Sequence, residues 1–417
     1  MNGTALRIGY VLARPPGLTE TFVPAEIRAV RAAGATVEVF VVAPDGNRYA
    51  LLRRTAARLL RRPAGLPADL RLLGLPSSAG GCSSSARGVL ASAAATALAA
   101  EVARFAPDVL HAHFVNLPTS VALLLGQRLG RPVTATAHAA DFLLDPDPTA
   151  LRRRLTRLRH LFVVSAATAD QLADRGAPMS TIPHQIVRAA VDARLLDAPP
   201  VGAVPATAPG VPTRPGSPTR LVTVARLIPK KGVETAVDAV ARLLDAGRPV
   251  RYDIYGDGPL RDSLSRRIAS AGLTDAVTLH GAVPHPVATS ALAGADVAVL
   301  PCRPAPDGDL DGIPVFLMEA ASQGVPVVTT GVSGIPELVG PGSGWLVPPD
   351  DPAALAAAIR AVVDDPVTAR RRAGALLTRL RSEFAPSVQA DRLLTAWRDL
   401  AGTGPTSPVT PPGGGYR

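Results

Sequence analysis

The chain has 417 residues, 47% of them apolar and 19% charged, with a formal net charge of +10. At roughly 150 residues per domain this length predicts two domains or three, and so large an apolar fraction excludes a mainly disordered chain. Cys82 and Cys302 stand too far apart for a disulfide scaffold or a cysteine-built zinc site.

Met1 to Pro16 lacks the basic and long apolar regions of a secretory leader. The apolar-rich run Val89 to Ala100, interrupted by Ser92 and Thr96, stops at Glu101, short of the ~20 residues a bilayer span needs. The expectation is a soluble, cytosolic protein. The charge is uneven: residues 1–200 hold 23 arginines and 14 acids, whereas 201–417 hold 21 bases and 20 acids. A basic first half suits an acidic partner such as an anionic membrane face, a nucleic acid or an anionic substrate.

In chain order, short Val- and Leu-rich runs predict strands at Leu6–Leu12, Val37–Ala43, Val109–Phe114, Val133–His138 and Leu161–Ser165. Helical patterns fall at Glu20–Ala33, Ala86–Phe105, Pro118–Leu129 and Thr149–Arg159. Asp197 to Thr219 reads DAPPVGAVPATAPGVPTRPGSPT, a linker by composition. The alternation then restarts, with strands at Leu221–Ala225, Arg251–Tyr255, Val277–His280, Val297–Pro301, Val325–Thr329 and Gly344–Val347. Helices are expected at Val233–Leu244, Pro259–Ala271, Pro314–Ser322, Pro352–Val363 and Val367–Phe384, then an amphipathic helix at Ser387–Leu400. Strand–helix alternation implies parallel sheets covered on both faces. The expected fold class is α/β, with two doubly wound Rossmann-like domains facing across a cleft. The domains are a first of 1–196, a linker of 197–218 and a second of 219–385. A C-terminal helix of 386–401 packs back on the first domain, and a Gly/Pro tail of 402–417 follows. In such sheets ligands bind outside the carboxyl ends of the strands.

Four segments carry candidate chemistry. In GDLDGIPVFLMEAASQGVPVV (308–328), Asp311 lies on a glycine turn and Glu319 eight positions later inside a helix whose first turn holds Pro314. Such a helix start is an anion site, and the two carboxylates can accept from sugar hydroxyls. In LVTVARLIPKKGVETAVDAV (221–240), Arg226 follows a strand and Lys230–Lys231 precede a helix; these are the only lysines among 44 basic residues. Arginine's fork and lysine's point charge both suit a diphosphate. RPVTATAHAADF ends a strand with His138, then Asp141. His111 and His113 share one face of the preceding strand, so zinc is considered, but no third or fourth ligand is evident. YGDGPL, with Gly256, and RPPGLTETF, with Gly17, are further loops after strands where a nucleotide or acceptor can approach. No G-x-G-x-x-G, Walker or G-x-S-x-G pattern occurs. Arg-rich amphipathic stretches at 48–62 and 151–159 suit either an anionic bilayer or packing on a sheet.

The order of strand-end His138, Arg226 with Lys231, the acid-x7-acid pair and GVPVVTTGVSGIPELV resembles glycosyltransferase family 4, retaining nucleotide-sugar enzymes of the GT-B fold. GLTETFVPAEIRAVRAAG and GDLDGIPVFLMEA further resemble its exopolysaccharide, colanic-acid-type branch. The resemblance implies that Arg226 and Lys231 hold the donor diphosphate. Glu319 binds the ribose, Asp311 binds the transferred sugar, and the backbone of Gly312, Ile313, Pro314 and Val315 approaches sugar and phosphates. His138 meets the sugar near the reacting carbon, the region of Gly256 and His280–Val283 holds the base, and Gly17, Thr19 and Asp141 lie on the acceptor side. It implies no metal and no cofactor beyond the nucleotide-sugar substrate. The acceptor is a saccharide or polyprenyl-linked saccharide, and the place of work is the cytoplasm or the inner face of the membrane.

Two departures stand out: Asp311 replaces the family's usual glutamate, and IPHQIVRAAVDARLL, with Arg188 and Asp192, replaces an N-G-hydrophobic-D element. Two other readings are a non-catalytic basic module for membrane or nucleic acid and a pyridoxal-dependent sugar phosphorylase. With 15 aromatic residues in all, nucleic-acid stacking is disfavoured.

Overall fold

The computed structural model describes residues 5–16, 21–43, 69, 82–144, 147–189, 191–197 and 217–402. Gly17, Thr19, most of the linker, the basic 48–62 stretch and the tail from 403 lie outside the described residues.

The chain divides into one unit of Met1–Val187 with Gln389–Arg417 and a second of Arg188–Val388. The first unit contains β1 (Arg7–Leu12), α1 (Phe22–Ala32), β2 (Thr36–Val41), α2 (Cys82–Phe105), β3 (Val109–His113) and α3 (Leu117–Leu129). It continues with β4 (Val133–Ala137), α4 (Ala139–Leu143), α5 (Pro148–Leu155), β5 (His160–Val163), α6 (Ala166–Asp174) and β6 (His184–Ile186). The strands form a parallel sheet in the order β2-β1-β3-β4-β5-β6. Every residue of β3 and β4 is buried, so β4 reads as an unbroken run of small residues, while β3 buries His111 and His113 among its apolar residues.

The second unit runs α7 (Ala193–Asp197), β7 (Thr219–Val224), a 3-10 turn (Pro229–Lys231), α8 (Val233–Asp245), β8 (Val250–Tyr255), α9 (Arg261–Ser270) and β9 (Val277–Gly281). Then come α10 (His285–Ala293), β10 (Val297–Leu300), α11 (Val315–Ser322), β11 (Val327–Thr330), α12 (Ile335–Leu338), β12 (Trp345–Val347), α13 (Pro352–Asp364) and α14 (Pro366–Glu383). Its sheet is also parallel, ordered β12-β11-β10-β7-β8-β9. Asp351 and Asp365 cap α13 and α14 by accepting from Ala354 N and Thr368 N, with prolines at the first helical position.

The final helix, α15 (Pro386–Gly402), brings Trp397 into the first unit's core. Its indole is fully buried and donates to Thr134 Oγ1 at 3.0 Å, edge-on to Tyr10, His111 and Phe162.

Three sequence expectations are corrected. Residues 188–196, assigned above to the first domain, belong to the second unit: Val191 and Leu196 pack into its core and Arg188 pairs with Glu337 at 2.7 Å. The apolar run ending at Glu101 is only part of α2, whose Arg87–Phe105 stretch is long and apolar enough to cross a membrane by length and composition. Half of that window is buried in the unit, where Ala91, Ala94 and Ala95 join the core with residues of α3. α4, α6, β6, α7, α10 and α12 were not anticipated; each is short, and α6 is set by Ser165 capping Thr168 N.

Candidate active site

In the second sheet β7 and β10 are neighbours, and the chain winds outward from them in opposite directions. Loops leaving the carboxyl ends of two such strands open a crevice, the usual ligand position in an open parallel sheet. After β7 come Arg226 and the Pro229–Lys231 turn; after β10 comes the long loop from Pro301 to α11. Gly232 lets the two meet. Its φ is +62°, and a Cβ there would lie 1.9 Å from the Pro301 carbonyl oxygen.

Both lysines therefore face the acidic loop. Lys230 Nζ lies 2.9 Å from Asp309 Oδ2 and 3.5 Å from Asp311 Oδ1, and donates to the Leu310 carbonyl at 3.3 Å. Lys231 Nζ is ion-paired with Asp311 Oδ2, which also accepts from the Cys302 thiol at 3.4 Å. Burial works against both charges of the Lys231–Asp311 pair, but mutual attraction prevails: the ammonium is held above its ordinary range and the carboxyl below it. Burial, then Asp311, pushes the Cys302 thiol far up, so it serves as a neutral donor. Arg303 braces the turn by donating to the Pro229 carbonyl at 2.9 Å and pairing with Glu234 and Asp350. Arg226 is exposed and, among the described residues, has no carboxylate partner; it is close enough to Lys231 to oppose its charge.

Gly312, Ile313 and Pro314 lead into α11, which starts at Val315 with Pro314 as its N-cap. No side chain caps this end, so its first amides and the helix dipole remain available to an anion. Glu319, on the second turn, is largely buried and accepts from His285 Nε2 at 2.9 Å. His285 was missed in the sequence, where a histidine beside Pro286 carries no spacing signal. His280 bonds Asp253 at 2.6 Å and stacks flat on Tyr255, with centroids 4.3 Å apart. Val283 is half-buried. Gly256 has a structural reason of its own: at φ +134° a Cβ would meet the Ala225 carbonyl oxygen at 1.8 Å.

In the first unit His138 directly follows β4 and is the N-cap of α4. Its Nε2 is 3.2 Å from His113 Nδ1, and His113 Nε2 is 2.9 Å from Glu26 Oε1, which also accepts from Tyr10 at 2.8 Å. Burial, then His113, lowers the His138 pKa to about 3, so the ring is neutral. Glu26, His111 and His113 place one ligand atom each within 4.8 Å of one another, which supplies the third group the sequence left unidentified. Each is already engaged: His111 by Thr134 and Thr136, and His113 by Glu26 and His138. Asp141 is the third residue of α4. It is buried, and its two oxygens accept from the His138 and Val115 amides, so it ties together the loops after β3 and β4. Burial pushes its carboxyl up to about 8.

Two parallel six-stranded sheets of this order, with paired cations at a switch point, are the GT-B architecture. HepE of Anabaena, solved in complex with UDP and glucose, superposes with a TM-score of 0.65 at 18% identity, covering 95% of this chain and 100% of that one. Sucrose-phosphate synthase of Thermosynechococcus elongatus superposes at 0.69 and 18% identity, covering 96% and 100%. A family model described as Glycosyltransferase Family 4 matches residues 19–186, and one described as Glycosyl transferases group 1 matches 218–365. The colanic acid biosynthesis glycosyltransferase WcaL of Escherichia coli is 31% identical over 84% of this chain and 89% of its own length. The WcaL of Salmonella typhimurium is 36% identical over 63% of each chain. The amylovoran biosynthesis glycosyltransferase AmsK of Erwinia amylovora is 45% identical over 33% of this chain and 34% of its own. The chain belongs to glycosyltransferase family 4.

Proposed function

We propose that the protein transfers a glycosyl group from a nucleotide-diphosphate sugar to a saccharide or lipid-linked saccharide, in the assembly of an exopolysaccharide or other cell-surface glycan. The single observation that carries this reading is the meeting of Arg226, Lys231, Asp311 and the uncapped α11 N-terminus at the β7/β10 switch point. Breaking a sugar–diphosphate bond builds negative charge on the leaving phosphate. Fixed cations and a helix dipole stabilise that charge without reorganising. Glu319 holds ribose hydroxyls in this reading, once His285 yields. In this reading the chain's own cations neutralise the diphosphate with no metal ion or other cofactor, and the new bond keeps the donor's anomeric configuration. Relatives named for colanic acid and amylovoran biosynthesis support the polymer class. The basic first half supports work at an anionic cytoplasmic membrane face.

The test is a melting-temperature panel of nucleoside diphosphates and nucleotide sugars, since a ligand that binds only the native state raises the midpoint. The donor so found is then used in transfer assays with and without EDTA, with the product anomer read by NMR. Loss of transfer in EDTA would contradict metal independence, and an inverted anomer would contradict retention.

A further inference from the structure

Lys231 and Asp311 are both largely buried, with side chains 14% and 12% exposed, and each is the other's closest opposite charge. A diphosphate cannot take the Lys231 ammonium fully without drawing it from Asp311. Among the described residues, a carboxylate left in that position keeps Lys230 at 3.5 Å and the neutral Cys302 thiol, and a buried charge that loses its partner is strongly disfavoured. The loss is offset only if the arriving ligand also brings hydroxyl donors. A nucleotide sugar carries them beyond its diphosphate, and a nucleoside diphosphate does not.

Resting on the donor-site reading above, we propose that Asp311 is the specificity-determining exchange partner that separates donor from product. A nucleotide sugar opens the Lys231–Asp311 pair, its phosphate taking the ammonium and its sugar hydroxyls the carboxylate. Once the sugar has been transferred, Asp311 has no ligand partner, the pair closes again, and the nucleoside diphosphate is expelled. The second lysine has a separate part: paired with Asp309, Lys230 holds the loop in place while Lys231 changes partner.

The experiment compares the native chain with Asp311→Asn, which keeps the size and removes the charge. UDP, GDP, ADP and their glucose conjugates are titrated calorimetrically into both. The variant is expected to bind the cognate nucleoside diphosphate about tenfold tighter, roughly the effect of one modest charge-assisted contact, and its glucose conjugate no tighter. Product inhibition should deepen in step. Parallel weakening of both ligands, or no change in either, would overturn the exchange. Failure of the native chain to bind any of the six would remove the donor reading and the exchange with it. Should the variant fail to fold, the native chain still answers, because its two lysines give two resolvable Nζ signals when 15N-lysine is incorporated. The Lys231 signal should move further than that of Lys230 on saturation with the conjugate; an unmoved Lys231 signal at saturation contradicts the proposal.

Discussion

Arg226 and Lys231 lie in the loop after β7 and Asp311 lies in the loop after β10, and only folding brings Lys231 against Asp311. Replacing Lys231 with Ala should lower transfer about a hundredfold, the scale of losing one pre-placed charge donor, with far-UV circular dichroism unchanged. Retention of more than a third of native turnover would refute its role. Gly256→Ala is a different kind of change: the φ of +134° and the Ala225 carbonyl 1.8 Å from the new Cβ should destabilise the second unit by more than about 1 kcal/mol. Urea midpoints measure this. The lysine pair and the acid pair were legible because residue type and spacing alone mark them. The backbone duties of Gly256 and Asp141 were not. Nothing in YGDGPL says that a neighbouring carbonyl fills the Cβ space, and nothing in HAAD says that both carboxylate oxygens are taken by amides.

At the level of elements, strand–helix alternation revealed most strands and the long helices, since buried parallel strands leave unbroken apolar runs. Pieces such as β6 and α7 escaped because three to five residues carry no measurable period. The boundary at residue 188 was equally hidden: composition marks the Pro-rich stretch, whereas contacts of Val191 and Leu196 decide which core the preceding residues join. α15 makes the sharpest elemental prediction. Trp397→Ala should cost about 3–5 kcal/mol, as for other buried large-to-small changes, and also take the indole donor from the Thr134 hydroxyl, leaving it His111. A shift below about 1 kcal/mol in the urea transition would mean that the helix is not part of the first core.

For the molecule as a whole, each unit holds one tryptophan, Trp397 in the first and Trp345 in the second, so Trp345→Phe leaves a reporter for the first unit alone. Burial lowers the pKa of His111 and His138 to about 3, so between there and 6.5 the unfolded chain binds two protons that the folded one refuses. Stability therefore rises with pH in that window. Asp141, raised to about 8 from 3.8, acts oppositely: the folded state keeps its proton and loses that advantage as pH climbs to 8. Two groups outweigh one below pH 6.5, and only Asp141 acts above it. The first unit should thus be most resistant to urea at about pH 6.5; a midpoint that rises steadily to pH 8 would contradict the Asp141 assignment.

The most direct measurement is calorimetric titration of the cognate nucleotide sugar into the native chain and into Lys231→Ala. Saturable one-site binding to the native chain, at least tenfold weaker in the variant, is the expected result. Equal affinity in the two would place the diphosphate elsewhere and contradict the switch-point site.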